Sequence, residues 1–151
     1  MREIERLAKI GLPSVSNHVK KLEEEGFVKK GKKDIYQTFT ANREDQRFKV
    51  YKRNDIVLRI YDSGLIDFLE KSFMPATVAL FGSASRGEDV ETSDIDLFLL
   101  AKRENIDLKG FEGKLKRKIS LLFEEDLSEL SKELLNNIIN GVVLYGYLKV
   151  L

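Results

Sequence analysis

In the second half of the chain, two short apolar runs bracket a polar stretch. Residues 78–81 read Val-Ala-Leu-Phe, and residues 95–101 are apolar apart from Asp96. Runs of this length, bounded by glycine and polar residues, read as buried strands. The first ends in a Gly82-Ser83 turn, and the second opens as Asp94-Ile95-Asp96-Leu97. Strand, glycine turn and carboxylate-bearing strand are therefore the nucleus of the fold. The pattern beyond predicts a helix over 104–116, a third strand over 119–123 and a helix over 127–140 capped by Gly141, ahead of the apolar Val142-Val143-Leu144-Tyr145. The expected fold class is α/β, of α+β type.

The front of the chain has a different rhythm. Ile4, Leu7 and Ala8 fall at helical spacing over 2–10, and Gly11 stands where a left-handed C-cap belongs. Pro13 suits a new first turn, and Val15, Val19 and Leu22 recur at helical steps until Gly26. That leaves Ser14, Ser16, Asn17, Lys20 and Lys21 on the opposite side. Phe27 and Val28 begin a strand, Lys30-Gly31-Lys32-Lys33 supplies a glycine turn, and Ile35, Gln37 and Phe39 alternate with Tyr36, Thr38 and Thr40. Residues 42–72 carry a helical pattern with breaks expected near Asn54 and Gly64. The domain boundaries that follow are 1–43, a connecting helix over 44–63, and 64–151.

Composition narrows the chemistry. With 42% hydrophobic residues, 151 residues can build a packed core. The total charge of +1 carries no message, but residues 1–40 sum to +3 and residues 74–151 to −3. A basic front and an acidic back imply modules with different partners. The absence of cysteine excludes disulfides and thiolate chemistry, and the single histidine, His18, excludes a histidine-rich metal site and reads as a partly buried or backbone-contacting residue. Any metal must be held by carboxylates. No run approaches the ~18 apolar residues of a membrane span, and residues 1–9 lack the apolar core of a signal peptide, so a soluble cytoplasmic protein is expected.

Asp94 and Asp96, two residues apart on a strand, point to one face, while Ile95 and Leu97 point into a core. Paired oxygen ligands without histidine or thiol suit Mg²⁺. Gly82 lets the backbone approach a ligand, and Ser83 with its neighbouring amides could cradle a phosphate. The two features together describe a site for a nucleoside triphosphate and a metal ion.

The pattern Gly82-Ser83, ten residues, Asp94-x-Asp96, with Arg86-Gly87 and Ser93 around it and Gly141-Val142-Val143-Leu144-Tyr145 behind it, resembles the nucleotidyltransferase superfamily of DNA polymerase beta in its minimal prokaryotic form. The resemblance implies a small mixed sheet and transfer of a nucleoside monophosphate, AMP from ATP, to an acceptor. It makes Asp94 and Asp96 the catalytic and metal-binding carboxylates for divalent ions about 4 Å apart. Gly82, Ser83 and Arg86 would hold the nucleotide phosphates. In the family a later strand supplies a third carboxylate, and the matching position here is Ser120, within Ile119-Ser120-Leu121-Leu122. Glu124 lies on the same strand face about 13 Å further on. Reduced turnover, nucleotide binding without turnover, and a carboxylate from elsewhere are the alternatives.

Residues 11–28 resemble the winged helix-turn-helix of small prokaryotic transcription regulators, whose second helix enters the DNA major groove. The resemblance places Ser14, Ser16, Asn17 and Lys20 at bases or nearby phosphates, and Lys30, Lys32 and Lys33 at phosphate from the wing. Such domains begin with one more helix than is seen before residue 2. Minimal nucleotidyltransferases of this type are often antitoxins that add AMP to a tyrosine of a HEPN-type toxin, and a homodimer is the usual DNA-binding form. The competing reading is a transcription regulator whose nucleotidyltransferase-like domain only binds nucleotide or dimerises.

Overall fold

The computed structural model describes residues 1–33 and 36–149. Ile35, expected in a strand, lies outside the described residues, as does the side chain of Lys33. The chain divides into two units, Met1–Phe48 and Lys49–Leu151.

The first unit carries two helices and a hairpin. Helix α1 (Arg2–Ala8) ends on Lys9, which itself takes the left-handed conformation at φ 55. Gly11 is extended and caps the start of α2 (Leu12–Glu24), so the left-handed stop falls two residues before the glycine expected to make it. Helix α2 buries Val15 and Val19, whereas Leu22 is 39% exposed and His18 is exposed rather than partly buried. Strands β1 (Val28–Lys33) and β2 (Tyr36–Ala41) pair antiparallel from Val28↔Ala41 to Lys33↔Tyr36. Lys30-Gly31-Lys32-Lys33 is thus strand, not turn. Gly31 faces Thr38 across the ladder, where a Cβ would come within 2.9 Å of its hydroxyl, so the glycine serves a close cross-strand approach. Asn42 ties the hairpin's end to the Gly26 and Phe27 carbonyls, each at 2.8 Å. The Arg47 guanidinium lies 4.7 Å from the Phe27 ring centroid and donates to the Glu25 carbonyl at 2.6 Å.

Helix α3 (Gln46–Asp62) starts on Asp45, whose carboxylate accepts from the Arg47 and Phe48 amides. It runs through Asn54 without the expected break, because Ile56 and Ile60 continue its buried stripe. The break at Gly64 is present, at φ 80, before α4 (Leu65–Phe73). Then follow β3 (Thr77–Phe81), α5 (Gly82–Arg86), β4 (Ile95–Leu100), α6 (Lys109–Leu115), β5 (Ile119–Glu124), a 3₁₀ turn (Leu127–Glu129), α7 (Lys132–Ile139) and β6 (Val142–Gly146). The helix expected over 104–116 is limited to α6. Asp107, one residue before the Leu108 cap, accepts from the Lys109 amide in a local turn that leads into the helix. The helix expected over 127–140 is interrupted, since Asp126 and Ser131 each accept a following amide and start separate turns. Asn140, not Gly141, closes α7; Gly141 packs against the Leu80 carbonyl, where a side chain would collide.

The four-stranded sheet has the order β5-β4-β3-β6, with β4 and β5 parallel and the other pairs antiparallel. One face carries Val78, Leu80, Ile95, Leu97 and Leu99 against Ile56 and Ile60 of α3, Leu65 and Leu69 of α4, and Leu115 of α6. The other carries Ala79 and Phe98 against Ile138 of α7 and Leu130. Alternation along β4 assigns every second residue to each layer. Asp96, two residues before Phe98, shares the α7 face near the start of β4. Among the described residues, no helix is long and apolar enough to cross a membrane.

Candidate functional site

The antiparallel register places Phe81↔Asp96, and the parallel register places Asp96↔Ser120. Asp96 therefore stands on the middle strand of β5-β4-β3, with the end of β3 and the Gly82 turn at one side and Ser120 at the other. Gly82 has φ 72, and a Cβ there would lie 2.6 Å from Asp96 Oδ2. Only glycine lets β3 turn so tightly against the carboxylate. Asp94 lies one residue before β4 and is exposed, while Ile95 and Leu97 are fully buried. Burial first, then the charge of Asp94, raise the Asp96 pKa above the usual carboxylate value; Arg117 opposes them.

The structure brings Asp94, Asp96, Gly82 and Ser83 to one end of the sheet. Ser83 is half-buried and its carbonyl accepts from the Glu88 amide at 3.0 Å. Arg86 is exposed and its Nε is committed to Glu88 Oε2 at 2.9 Å, a carboxylate that Lys49 meets from α3, also at 2.9 Å. Arg86 first, then Lys49, lower the Glu88 pKa from its ordinary value. Ser14, Ser16, Asn17, Lys20, Lys30 and Lys32 belong to the first unit. Ser14 is half-buried, the other five are exposed, and Lys20 lies 3.9 Å from Glu24.

Three residues of this end escaped the sequence reading. The Ser85 hydroxyl, buried, donates to the Gly82 carbonyl at 2.8 Å and steadies the turn. Asp89 is buried, with Arg117 Nη1 at 2.5 Å from one carboxylate oxygen and Lys52 Nζ at 3.0 Å from the other. Arg117 also donates from Nε to the Ser93 carbonyl at 2.7 Å and from Nη2 to the Asp94 carbonyl at 3.0 Å.

Among the described residues, no three acidic, histidine or cysteine side chains converge. The donor set at this end is two carboxylates and the Ser83 and Ser120 hydroxyls, beside the Gly82 turn. Such oxygen donors fit a hard divalent cation that keeps part of its water shell and takes further oxygens from a phosphate. Two carboxylates, one of them against a glycine turn, at the end of a mixed sheet have the chemistry to take a cation together with a phosphate. Residues 63–148, more than half of the chain, match the family described as polymerase beta, nucleotidyltransferase. The chain belongs to that family, whose chemistry is nucleotidyl transfer from a nucleoside triphosphate with divalent metal. No curated protein and no solved structure matches the chain.

Proposed function

We propose that the second unit transfers a nucleoside monophosphate, AMP from ATP, to an acceptor hydroxyl, using Mg²⁺ held by Asp94 and Asp96. The contact between the Gly82 turn and the Asp96 carboxylate carries this reading, because it sets a glycine main chain, which a phosphate can approach closely, beside a carboxylate able to hold a cation. Gly82 and Ser83 receive the triphosphate, and Arg86 leaves Glu88 to meet it. The bound cation would neutralise the phosphates and stabilise the departing pyrophosphate. The acceptor oxygen bonds to the α-phosphorus, the bridging bond to the β-phosphate breaks, and the electron pair leaves with pyrophosphate. Ser120 stands beside Asp96 where a third carboxylate would act, and a serine hydroxyl is no base at neutral pH, so the acceptor's proton passes to water.

The test is transfer of label from α-³²P-ATP with Mg²⁺, read with pyrophosphate release. Asp94→Asn/Asp96→Asn is expected to abolish both; wild-type rates in that variant would remove the assignment. Ser120 favours a second reading, in which the site binds nucleotide without turnover and the protein acts as a DNA-binding regulator. Equal ATP binding by calorimetry with no pyrophosphate release would select it. The first unit is read as the DNA-binding part, supported by Ser16, Asn17 and Lys20 on the exposed side of α2 and by Lys30 and Lys32 on β1. A tyrosine of a HEPN-type toxin is the acceptor that the resemblance implies, with the protein as antitoxin.

A further inference from the structure

Asp94 is not held by the sheet. The β4 ladder begins at Ile95, and residues 87–94 contain neither helix nor strand. The charges of Asp94 and Asp96 oppose one another, and that repulsion favours an arrangement with the exposed Asp94 carboxylate turned away. The main chain there is instead fixed from outside by one side chain. Arg117, just before β5, spends three nitrogens on the segment: Nε on the Ser93 carbonyl, Nη2 on the Asp94 carbonyl, Nη1 on the Asp89 carboxylate. The side chains of Arg117 and Asp89 are only 10% and 5% exposed. Lys52 secures Asp89 from behind, pairing with its carboxylate and donating to its carbonyl. Within the segment, Val90 and Ser93 exchange two hydrogen bonds, which tie Ser93 to the turn that follows Asp89.

Neutralising Asp89 would need one cation and one nitrogen. Reaching two successive carbonyls and a carboxylate at once needs the planar fork that arginine has and lysine lacks. We infer that Arg117, anchored by Asp89, is a positioning residue that presets Asp94 beside Asp96 before any ligand arrives. The inference rests on the reading of Asp94 and Asp96 as a cation site.

The experiment titrates Mn²⁺ into the full chain, with bound ion read by electron paramagnetic resonance and folding by thermal unfolding. Arg117→Lys keeps the charge and the reach to Asp89 but cannot serve both carbonyls. It is expected to weaken Mn²⁺ binding about tenfold or more at a temperature where the variant is fully folded. Asp89→Asn, which loosens the anchor and keeps the arginine, is expected to lose part of that affinity and stands in should the lysine variant not fold. Wild-type Mn²⁺ affinity in either folded variant overturns the proposal and leaves the cation site intact. A wild-type chain that binds no more Mn²⁺ than Asp94→Asn/Asp96→Asn overturns both.

Discussion

Asp96 sits where its own charge is opposed, half-buried and two residues from a second carboxylate. Its raised pKa means that the folded chain holds the proton more tightly than the unfolded chain. Between the ordinary 3.8 and the raised value, stability therefore falls as pH rises, and above that window the loss is complete. Asp96→Asn removes the ionisation. At neutral pH this variant should melt higher than wild type, with the gap closing as pH drops through the window, as thermal unfolding across the acid range would show. A residue kept against stability is what a working site leads one to expect. Ser120→Asp, adding a carboxylate beside the pair, should lower the melting temperature and raise pyrophosphate release about tenfold or more, since a positioned base contributes at least that much. The aspartate pair was legible in the sequence because a period of two and a short glycine motif lie close together. Arg117 and Asp89 were not, because a charged residue in a loop looks solvated until distant parts of the chain close over it.

At the scale of elements, the segment after α5 depends on Gly87 as much as on its ion pairs. Gly87 has φ 68, and a Cβ there would run into the Lys49 backbone carbonyl of α3. Gly87→Ala should cost about 1–3 kcal/mol by denaturant unfolding, through left-handed strain together with overpacking. A neutral result would mean that α3 can shift away from the loop. Elements with long apolar periods, such as α2, β3, β4 and α4, were readable from the chain alone. The misread ones were decided by a single local bond or fit: Asp107 and Ser131 bonding amides where helices begin, Lys9 taking the left-handed turn, Gly31 lying inside a strand. Hydrophobic period says little about such choices, which hydrogen bonding and close approach settle.

For the molecule as a whole, the split of charge gives the first unit an expected salt signature. Lys30→Ala/Lys32→Ala should weaken binding to duplex DNA of any sequence and flatten its salt dependence by up to about two charges' worth, measured by fluorescence anisotropy from low to physiological salt. An unchanged slope would take those lysines out of the interface. The strand order could not be read from sequence, because nothing local shows that the last strand returns to β3. That order also has a bearing on synthesis. Gly82 directly follows β3 and Asp96 lies on the neighbouring β4, so these two residues can meet while the chain is still being made. Strand β3, however, waits for β6 to cover its other edge. Until residues 142–146 have been made, an apolar strand that is buried in the finished fold presents an open ladder, the kind of edge that pairs with other chains.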